Sequence, residues 1–262
     1  MRPPDGSHCM SSYEKKKARF DNMMTLYGRK PVLEVLADDR IDVYRLHLAK
    51  SNNDDGIIVD IRRLASQRGV EIVTHTRESL SRISKNRRQD QGVAVDIQPS
   101  GYAALADLPA APQTLLGLDG ITNPQNLGMI IRSVAASPLD GLLLPKKGSA
   151  RIDALVHKAS AGTVFHAKIY HAQTLVKGLK QLKQAEFEII GLSSNAGVDL
   201  TEVEAPADRS RIFLLGNETE GLSREAADLC DRLVSIQMAN AVESINVAAA
   251  ATLVAFHSLF RR

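Results

Sequence analysis

The sequence predicts an α/β protein in two parts, on three observations. Between residues 114 and 260, short apolar runs of strand length alternate with helix-period segments, the pattern of a mostly parallel sheet covered on both faces. Ahead of it, residues 27 to 97 carry a smaller α/β set of their own. Between the two, Pro99-Ser100-Gly101 and Leu108-Pro109-Ala110-Ala111-Pro112 flank a short polar segment with the composition of a linker.

The elements follow in order. Tyr27-Gly28-Arg29-Lys30-Pro31 opens a short helix carrying Val32, Leu33, Val35 and Leu36, with proline near the start, where its missing N–H costs little. Val43 to Leu48 reads as a strand. Gly56 to Arg68 reads as a helix with Ile57, Ile58, Ile61, Leu64 and Ala65 on one face, and Val70 to Thr74 as a strand. Thr76 to Ser84 suits a capped helix with Leu80 and Ile83 inward, and Gly92 to Ile97 a buried strand.

In the second part the expected strands are 114–118, 141–144, 167–170, 187–192, 212–215 and 233–236. The expected helices are 124–136, one near 153–160, 172–185, 223–229 and 244–260. The domain division is therefore a disordered basic extension at 1–24, a first domain at 25–98, a linker at 99–112 and a second domain at 113–262. Met1 to Cys9 lacks the apolar core of a secretory signal, and Gly6-Ser7-His8 has the look of a vector scar.

A chain of 262 residues has room for two such domains. Its 44% hydrophobic and 24% charged residues exclude a disordered chain and predict a soluble one. The most apolar stretch, Ile245 to Phe260, is too short for a roughly 20-residue membrane span and carries Asn246 and His257, so it reads as a buried helix. Cys9 and Cys230 allow at most one disulfide, and a reduced cytoplasmic setting is expected.

No Cys/His pair has zinc spacing, and His47, His75, His157, His166, His171 and His257 show no ligand pattern, so no metal is expected. A net charge of +3 with a pI near 8.8 fits a nucleic-acid partner only weakly as a total. The cations are grouped, however: Lys15, Lys16, Lys17 and Arg19; Arg82, Lys85, Arg87 and Arg88; Lys146, Lys147 and Arg151. Each run is either a solvated face or a set of phosphate contacts.

Three blocks carry chemistry. Asn123-Pro-Gln-Asn-Leu-Gly-Met-Ile-Ile-Arg132 places an amide, a glycine turn and a guanidinium within about two helical turns. Leu215-Gly-Asn-Glu-Thr-Glu-Gly-Leu222 follows a strand. Ile236-Gln-Met238 follows another and leads to Glu243-Ser-Ile-Asn-Val247. Parallel sheets bind ligands at the carboxyl ends of their strands, so these distant loops converge on one crevice. No Gly-x-Gly-x-x-Gly follows a strand. Residues 216–221 have P-loop glycine spacing, but Leu222-Ser223 replaces the Lys-Ser/Thr that holds phosphate and magnesium. Hydride and phosphoryl transfer are both disfavoured.

The three blocks, in this order, resemble the SpoU/TrmH family of RNA ribose 2'-O-methyltransferases in the SPOUT superfamily. Val156 to His166, with its Lys-Ala-Ser-Ala-Gly, is also similar to the family, and residues 25–98 resemble the L30e-like RNA-binding domain often fused ahead of it. The resemblance implies a trefoil-knotted α/β methyltransferase domain, S-adenosyl-L-methionine as methyl donor, a homodimer and an RNA substrate, with no DNA or membrane partner. It places the donor on Gly216, Ile236, Met238, Ile245 and Asn246. It places catalysis on Arg132, oriented by Asn126 and Glu218, with Ser244 and Asn246 where the family contacts donor and substrate.

The residues agree with that assignment in part. A glycine after a strand admits close backbone approach, and isoleucines suit a purine face, although plain core packing would use them equally. An arginine stays charged, so Arg132 acts on the ribose hydroxyl and a neighbouring phosphate by positioning and by stabilising negative charge. Taken alone, Arg132 reads as a salt-bridged surface residue, Glu218 as a helix-entry carboxylate and Ser244 as an N-cap. Asn246 needs a hydrogen-bond partner if buried.

Three positions depart from the family's usual residues: Gln237 where it has proline, Asn240 where it has glycine and Ala248 where it has serine. The expected substrate is 23S ribosomal RNA, on a guanosine. The alternatives are a transfer RNA 2'-O-methyltransferase and, from a different class, a non-catalytic RNA-binding or ribosome-assembly protein of the same fold. A base methyltransferase is disfavoured, because Arg132 with Asn126 and Glu218 resembles the ribose-methylating branch.

Overall fold

A computed structural model describes residues 23–53, 56–98, 102–203, 208–240 and 242–260. The basic run Lys15 to Arg19, Cys9, the possible scar and most of the 1–24 extension lie outside these residues, as do 99–101 of the linker. Two compact units divide the chain, Met1–Ser100 and Gly101–Arg262.

The first unit is a four-stranded sheet with helices. Strand β1 (Met24–Tyr27) is followed by α1 (Arg29–Ala37), β2 (Asp42–Ala49), α2 (Gly56–Gln67), β3 (Glu71–His75), α3 (Arg77–Ser84) and β4 (Val93–Gln98). The sheet order is β1-β4-β2-β3; β4 is antiparallel to both its neighbours and β3 is parallel to β2. Ile58, Ile61 and Ala65 of α2 are fully buried, as their spacing requires. Thr76 caps α3, its hydroxyl accepting from the Ser79 N–H at 3.2 Å.

One expectation fails at the start of this unit. Tyr27 does not open a helix but ends β1, a four-residue strand too brief to leave an alternation signal. Gly28, at φ 99°, turns the chain into α1, a conformation in which a side chain would be strained.

The second unit carries a seven-stranded sheet among the described residues, in the order β11-β9-β10-β6-β7-β8-β5. Its strands are β5 (Ala103–Ala104), β6 (Thr114–Leu118), β7 (Gly141–Pro145), β8 (Ile169–Ala172), β9 (Glu188–Leu192), β10 (Arg211–Leu215) and β11 (Arg232–Val234). The helices between and after them are α4 (Pro124–Ala136), α5 (Ala154–Ala159), α6 (Leu175–Gln184), α7 (Arg224–Ala227) and α8 (Val247–Phe260). Every pairing is parallel. Both faces are covered: Leu116, Leu118 and Phe213 pack with α4, α5 and α8, while Leu115, Ile212 and Leu214 pack with α6 and α7.

Two further expectations are corrected. The stretch expected as linker contributes β5, which pairs with Tyr170 and His171 of β8, and Leu105 and Leu108 pack on the α6 face. The apolar helix at the end of the described chain is only half-buried. Val247, Ala251 and Val254 face the core, but Leu253, Leu259 and Phe260 are 46%, 57% and 81% exposed. No helix of the described residues is long and apolar enough to cross a membrane.

Candidate active site

The three blocks emerge at the carboxyl ends of β6, β10 and β11, and the sheet order sets β10 between β6 and β9. The first block enters α4 through Asn123, whose side chain accepts from the Gln125 N–H at 2.8 Å, with Pro124 in the first turn. Asn126 is turned into the protein and is 8% exposed; Arg132, six residues on, faces outward.

Gly128 is not a turn. It lies mid-helix, where an added Cβ would fall 2.4 Å from the Ala159 Cβ and 2.7 Å from the Val156 carbonyl oxygen, so it lets α4 and α5 touch backbone to backbone.

The second block is a tight turn. Asn217 and Gly221 exchange backbone hydrogen bonds at 3.1 and 3.0 Å, and the Asn217 side chain accepts from the Thr219 and Glu220 N–H groups at 2.9 and 2.8 Å. A Cβ on Gly216 would lie 1.9 Å from the Gly221 carbonyl carbon, so this position admits glycine alone. The Asp119 carboxylate, just past β6, accepts from the Ser223 N–H at 2.7 Å and ties the end of β6, ahead of the first block, to the residue that follows the second.

A relay of side chains joins all three. Asn126 donates from Nδ2 to the Glu218 carboxylate. The Asn126 Oδ1 accepts from Asn246 Nδ2 at 3.1 Å, and the Asn246 Oδ1 accepts from the Ala248 N–H at 2.8 Å. Asn246, rather than Ser244, therefore caps the last helix, which begins at Val247 and not at 244. Glu218 is bound to Asn126 and not to Arg132. Arg132 makes no hydrogen bond or ion pair with a described residue, so the expected orientation of its guanidinium by Asn126 and Glu218 is not a direct contact.

A cleft of about 750 Å³ opens over the ends of β9, β10 and β11. Gly216, Ile236, Met238 and Ile245 line it, as do Glu218 and Ser244; Arg132, Asn126 and Asn246 do not. Asn246, expected at the donor, instead has its amide engaged at both ends. Among the described residues the lining holds the carboxylates Asp199, Glu218, Glu220 and Glu243 and no lysine or arginine. Among the described residues no cluster of His, Cys, Asp or Glu could hold a metal ion.

One wall of the cleft escaped the sequence reading: Leu192 to Gly197 and Asp199, in the loop after β9. Its only local signal is a polar, glycine-containing run after a strand. Asp199 fixes this wall to the third block. Its Oδ2 accepts from the Gln237 N–H at 3.2 Å, while Leu200 N–H donates to the Ser235 carbonyl at 2.7 Å. Hydrogen bonds from the Thr201 hydroxyl and N–H hold the Asp199 carboxyl below its ordinary range.

Two of the three departures from the family's usual residues, Gln237 and Asn240, have physical readings. Gln237 supplies an N–H that a proline could not donate to Asp199. Asn240 sits at φ 56°, the left-handed region that explains a glycine there and that asparagine tolerates best among other residues.

Residues 113–256 match the model of the SpoU rRNA methylase family. The chain belongs to the SpoU family. Residues 25–103 match the model described as RNA 2'-O ribose methyltransferase substrate binding. An uncharacterized tRNA/rRNA methyltransferase of Mycolicibacterium gilvum is 36% identical over 260 residues, covering 96% of this chain and 82% of that one.

Two solved structures share the fold. The SpoU methyltransferase AviRb from Streptomyces viridochromogenes, in complex with AdoMet, superimposes with a TM-score of 0.73 at 20% identity over 95% of this chain and 93% of that one. An AdoMet-bound rRNA methyltransferase from Sinorhizobium meliloti gives 0.72 at 21% identity over 93% and 89%. Membership of the SpoU family makes this chain an RNA methyltransferase with a mostly parallel α/β SPOUT fold.

Proposed function

We propose that this chain transfers a methyl group from S-adenosylmethionine to a ribose 2'-hydroxyl of structured RNA, 23S ribosomal RNA ahead of transfer RNA. The observation that carries the reading is the relay from Glu218, on the rim of a carboxylate-lined cleft, to Asn126 on the helix that presents Arg132. It fastens donor site and substrate-side cation into one rigid arrangement.

The cleft suits the donor. S-adenosylmethionine supplies an electrophilic methyl on a sulfonium, and it carries an ammonium group besides. Four carboxylates with no cation among the described lining residues favour such a ligand, and Leu222, Ile236 and Ile245 offer apolar surface to a purine. Two SpoU structures of the same fold are described with AdoMet bound, in keeping with this assignment.

A ribose hydroxyl is a weak nucleophile, so its placement in line with the donor methyl carries much of the rate. Arg132, exposed and without a side-chain partner among the described residues, holds the hydroxyl and an adjacent phosphate and stabilises the negative charge that develops on oxygen. Ser244 contacts the donor from the cleft rim. Asn246 and Glu218 act through Asn126 as positioning residues.

The active form is a homodimer. Met129 on α4 and Leu253, Leu259 and Phe260 on α8 leave apolar surface exposed on two helices that pack together through a Ser133–Thr252 hydroxyl contact of 2.7 Å. Sedimentation of the purified chain at twice the monomer mass is the expected result. The cytoplasm is the setting proposed for it.

Calorimetry with S-adenosylmethionine tests the donor. If no binding is detected, the rival reading, a non-catalytic RNA-binding or ribosome-assembly protein, takes its place. Mapping of 2'-O-methyl sites in a deletion strain against its parent tests the substrate. A site lost from 23S RNA is expected; loss confined to a transfer RNA would reverse the preference.

A further inference from the structure

Among the clefts, buried histidines and charged patches of the molecule, the turn after β7 stands apart. Lys146, Lys147 and Arg151 are exposed within six residues, and none of their side chains makes a hydrogen bond or ion pair with a described residue. The carboxylate in sequence reach, Asp153, is committed elsewhere, accepting from the Leu155 and Val156 N–H groups at 2.9 and 3.0 Å as the cap of α5. Three uncompensated cations are thus held on one turn.

The turn is also fixed in place. The Lys146 N–H donates to the Ala172 carbonyl of β8 at 2.9 Å, and the Ala150 N–H donates to the Ile121 carbonyl at 2.8 Å. Ile121 stands two residues ahead of Asn123, the cap of the helix that carries Asn126 and Arg132. At the apex, Gly148 adopts φ 83° with open space around the position of its absent side chain. The basic turn is therefore a built neighbour of the first block.

Sheet order gives this placement its meaning. The acidic cleft spans the ends of β9, β10 and β11; β6 comes next and β7 beyond it. A polyanion meets four carboxylates on the cleft side and three free cations on the β7 side, with Arg132 on the helix between.

We infer that the turn Lys146 to Arg151 is a phosphate rail: it binds the backbone of the substrate RNA strand across the ends of β6 and β7 and delivers a ribose to the edge of the donor cleft. The inference rests on the RNA methyltransferase reading and adds to it the direction from which the strand arrives. The rail contacts phosphates, which fix register and orientation without reading sequence, and it engages an unpaired strand, the usual target of specific RNA recognition.

The test uses the full chain with Lys146→Ala, Lys147→Ala and Arg151→Ala combined, and purified bacterial 23S RNA as probe, in filter binding across a salt series. Loss of three single-strand phosphate contacts lowers the slope of log affinity against log salt by about 2, and affinity near 0.1 M salt falls roughly tenfold or more. S-adenosylmethionine affinity of the variant stays at the wild-type value, which also shows that it is folded.

Unchanged RNA affinity and slope would overturn the rail, as would a loss seen with heparin but not with RNA. Failure of the parent reading shows elsewhere: a wild-type chain that binds no S-adenosylmethionine sinks the donor assignment, while the RNA salt slope still decides the rail.

Discussion

Asn246 Nδ2 donates to the side-chain Oδ1 of Asn126 at 3.1 Å across 120 residues of sequence, and with the contacts at its two ends it fixes the orientation of both amides. The Ala248 N–H can only donate, so Asn246 turns its oxygen to the helix and its nitrogen to Asn126. Asn126 must then offer oxygen to Asn246 and nitrogen to Glu218, an acceptor when ionised. Three distant blocks are locked by one consistent set of donors and acceptors.

Replacing Asn126 by leucine strands a carboxylate and an amide together. The expected cost is about 1–3 kcal/mol, or roughly 2–12 °C in melting temperature, together with weakened donor binding. Asn126→Asp instead sets two carboxylates against each other, so its deficit should shrink as the pH falls and the pair comes to share a proton. A thermal scan of both variants at pH 8 and pH 5 checks this; an Asp variant whose deficit does not depend on pH would refute the relay.

Gly216→Ala forces the 216–221 turn open, because the new methyl would overlap the Gly221 backbone. Donor affinity should fall more than tenfold by calorimetry. An alanine variant that binds the donor normally would show that this turn does not shape the cleft.

Arg132→Ala should abolish methyl transfer while leaving donor affinity close to wild type, since Arg132 stands outside the cleft lining. Stability should change by less than about 0.5 kcal/mol, as for other exposed residues without partners. Near-normal turnover would remove Arg132 from the mechanism.

The second unit should lose stability in mild acid. Burial pushes the His157 ring down from 6.5 to about 4, and burial, with Lys146 nearby, does the same to His171. Between those limits the unfolded chain binds protons that the folded one refuses, so stability is complete above pH 6.5 and falls as the pH drops toward 4. His157 alone accounts for at most roughly 3 kcal/mol. Urea midpoints at pH 7 and pH 4.5 should differ less for His157→Met than for wild type; equal differences would refute the assignment.

Much of this was legible in the residues. Strand 114–118 and helix 124–136 fall where the sequence places them, because Asn123 and Pro124 mark the helix start and unbroken apolar runs mark the buried strand. Glu218, Ser244 and four of the five residues expected at the donor, Gly216, Ile236, Met238 and Ile245 but not Asn246, converge on one cleft, since strand ends in a parallel sheet share an edge.

What was missed depends on contacts between distant segments. The Leu192–Asp199 wall becomes a wall only because β9 lies beside both β10 and β11. Gly128 owes its place to α5, not to its own neighbours in sequence. β1 and β5 are too brief to show alternation, and Asn246 rather than Ser244 starts the last helix because it also has Asn126 to hold.

The all-parallel order of the larger sheet bears on how the protein comes into being. Each strand waits for a partner that a crossover connection must first deliver, and β6 meets β10 only after most of the unit has been synthesised. Such topologies fold slowly and leave strand edges open meanwhile. Val247 and Ala250 of the last helix line the cleft and are the last of its lining residues to be synthesised. A nascent chain that has not yet reached that helix can possess a nearly finished sheet and still lack part of the wall of its cleft.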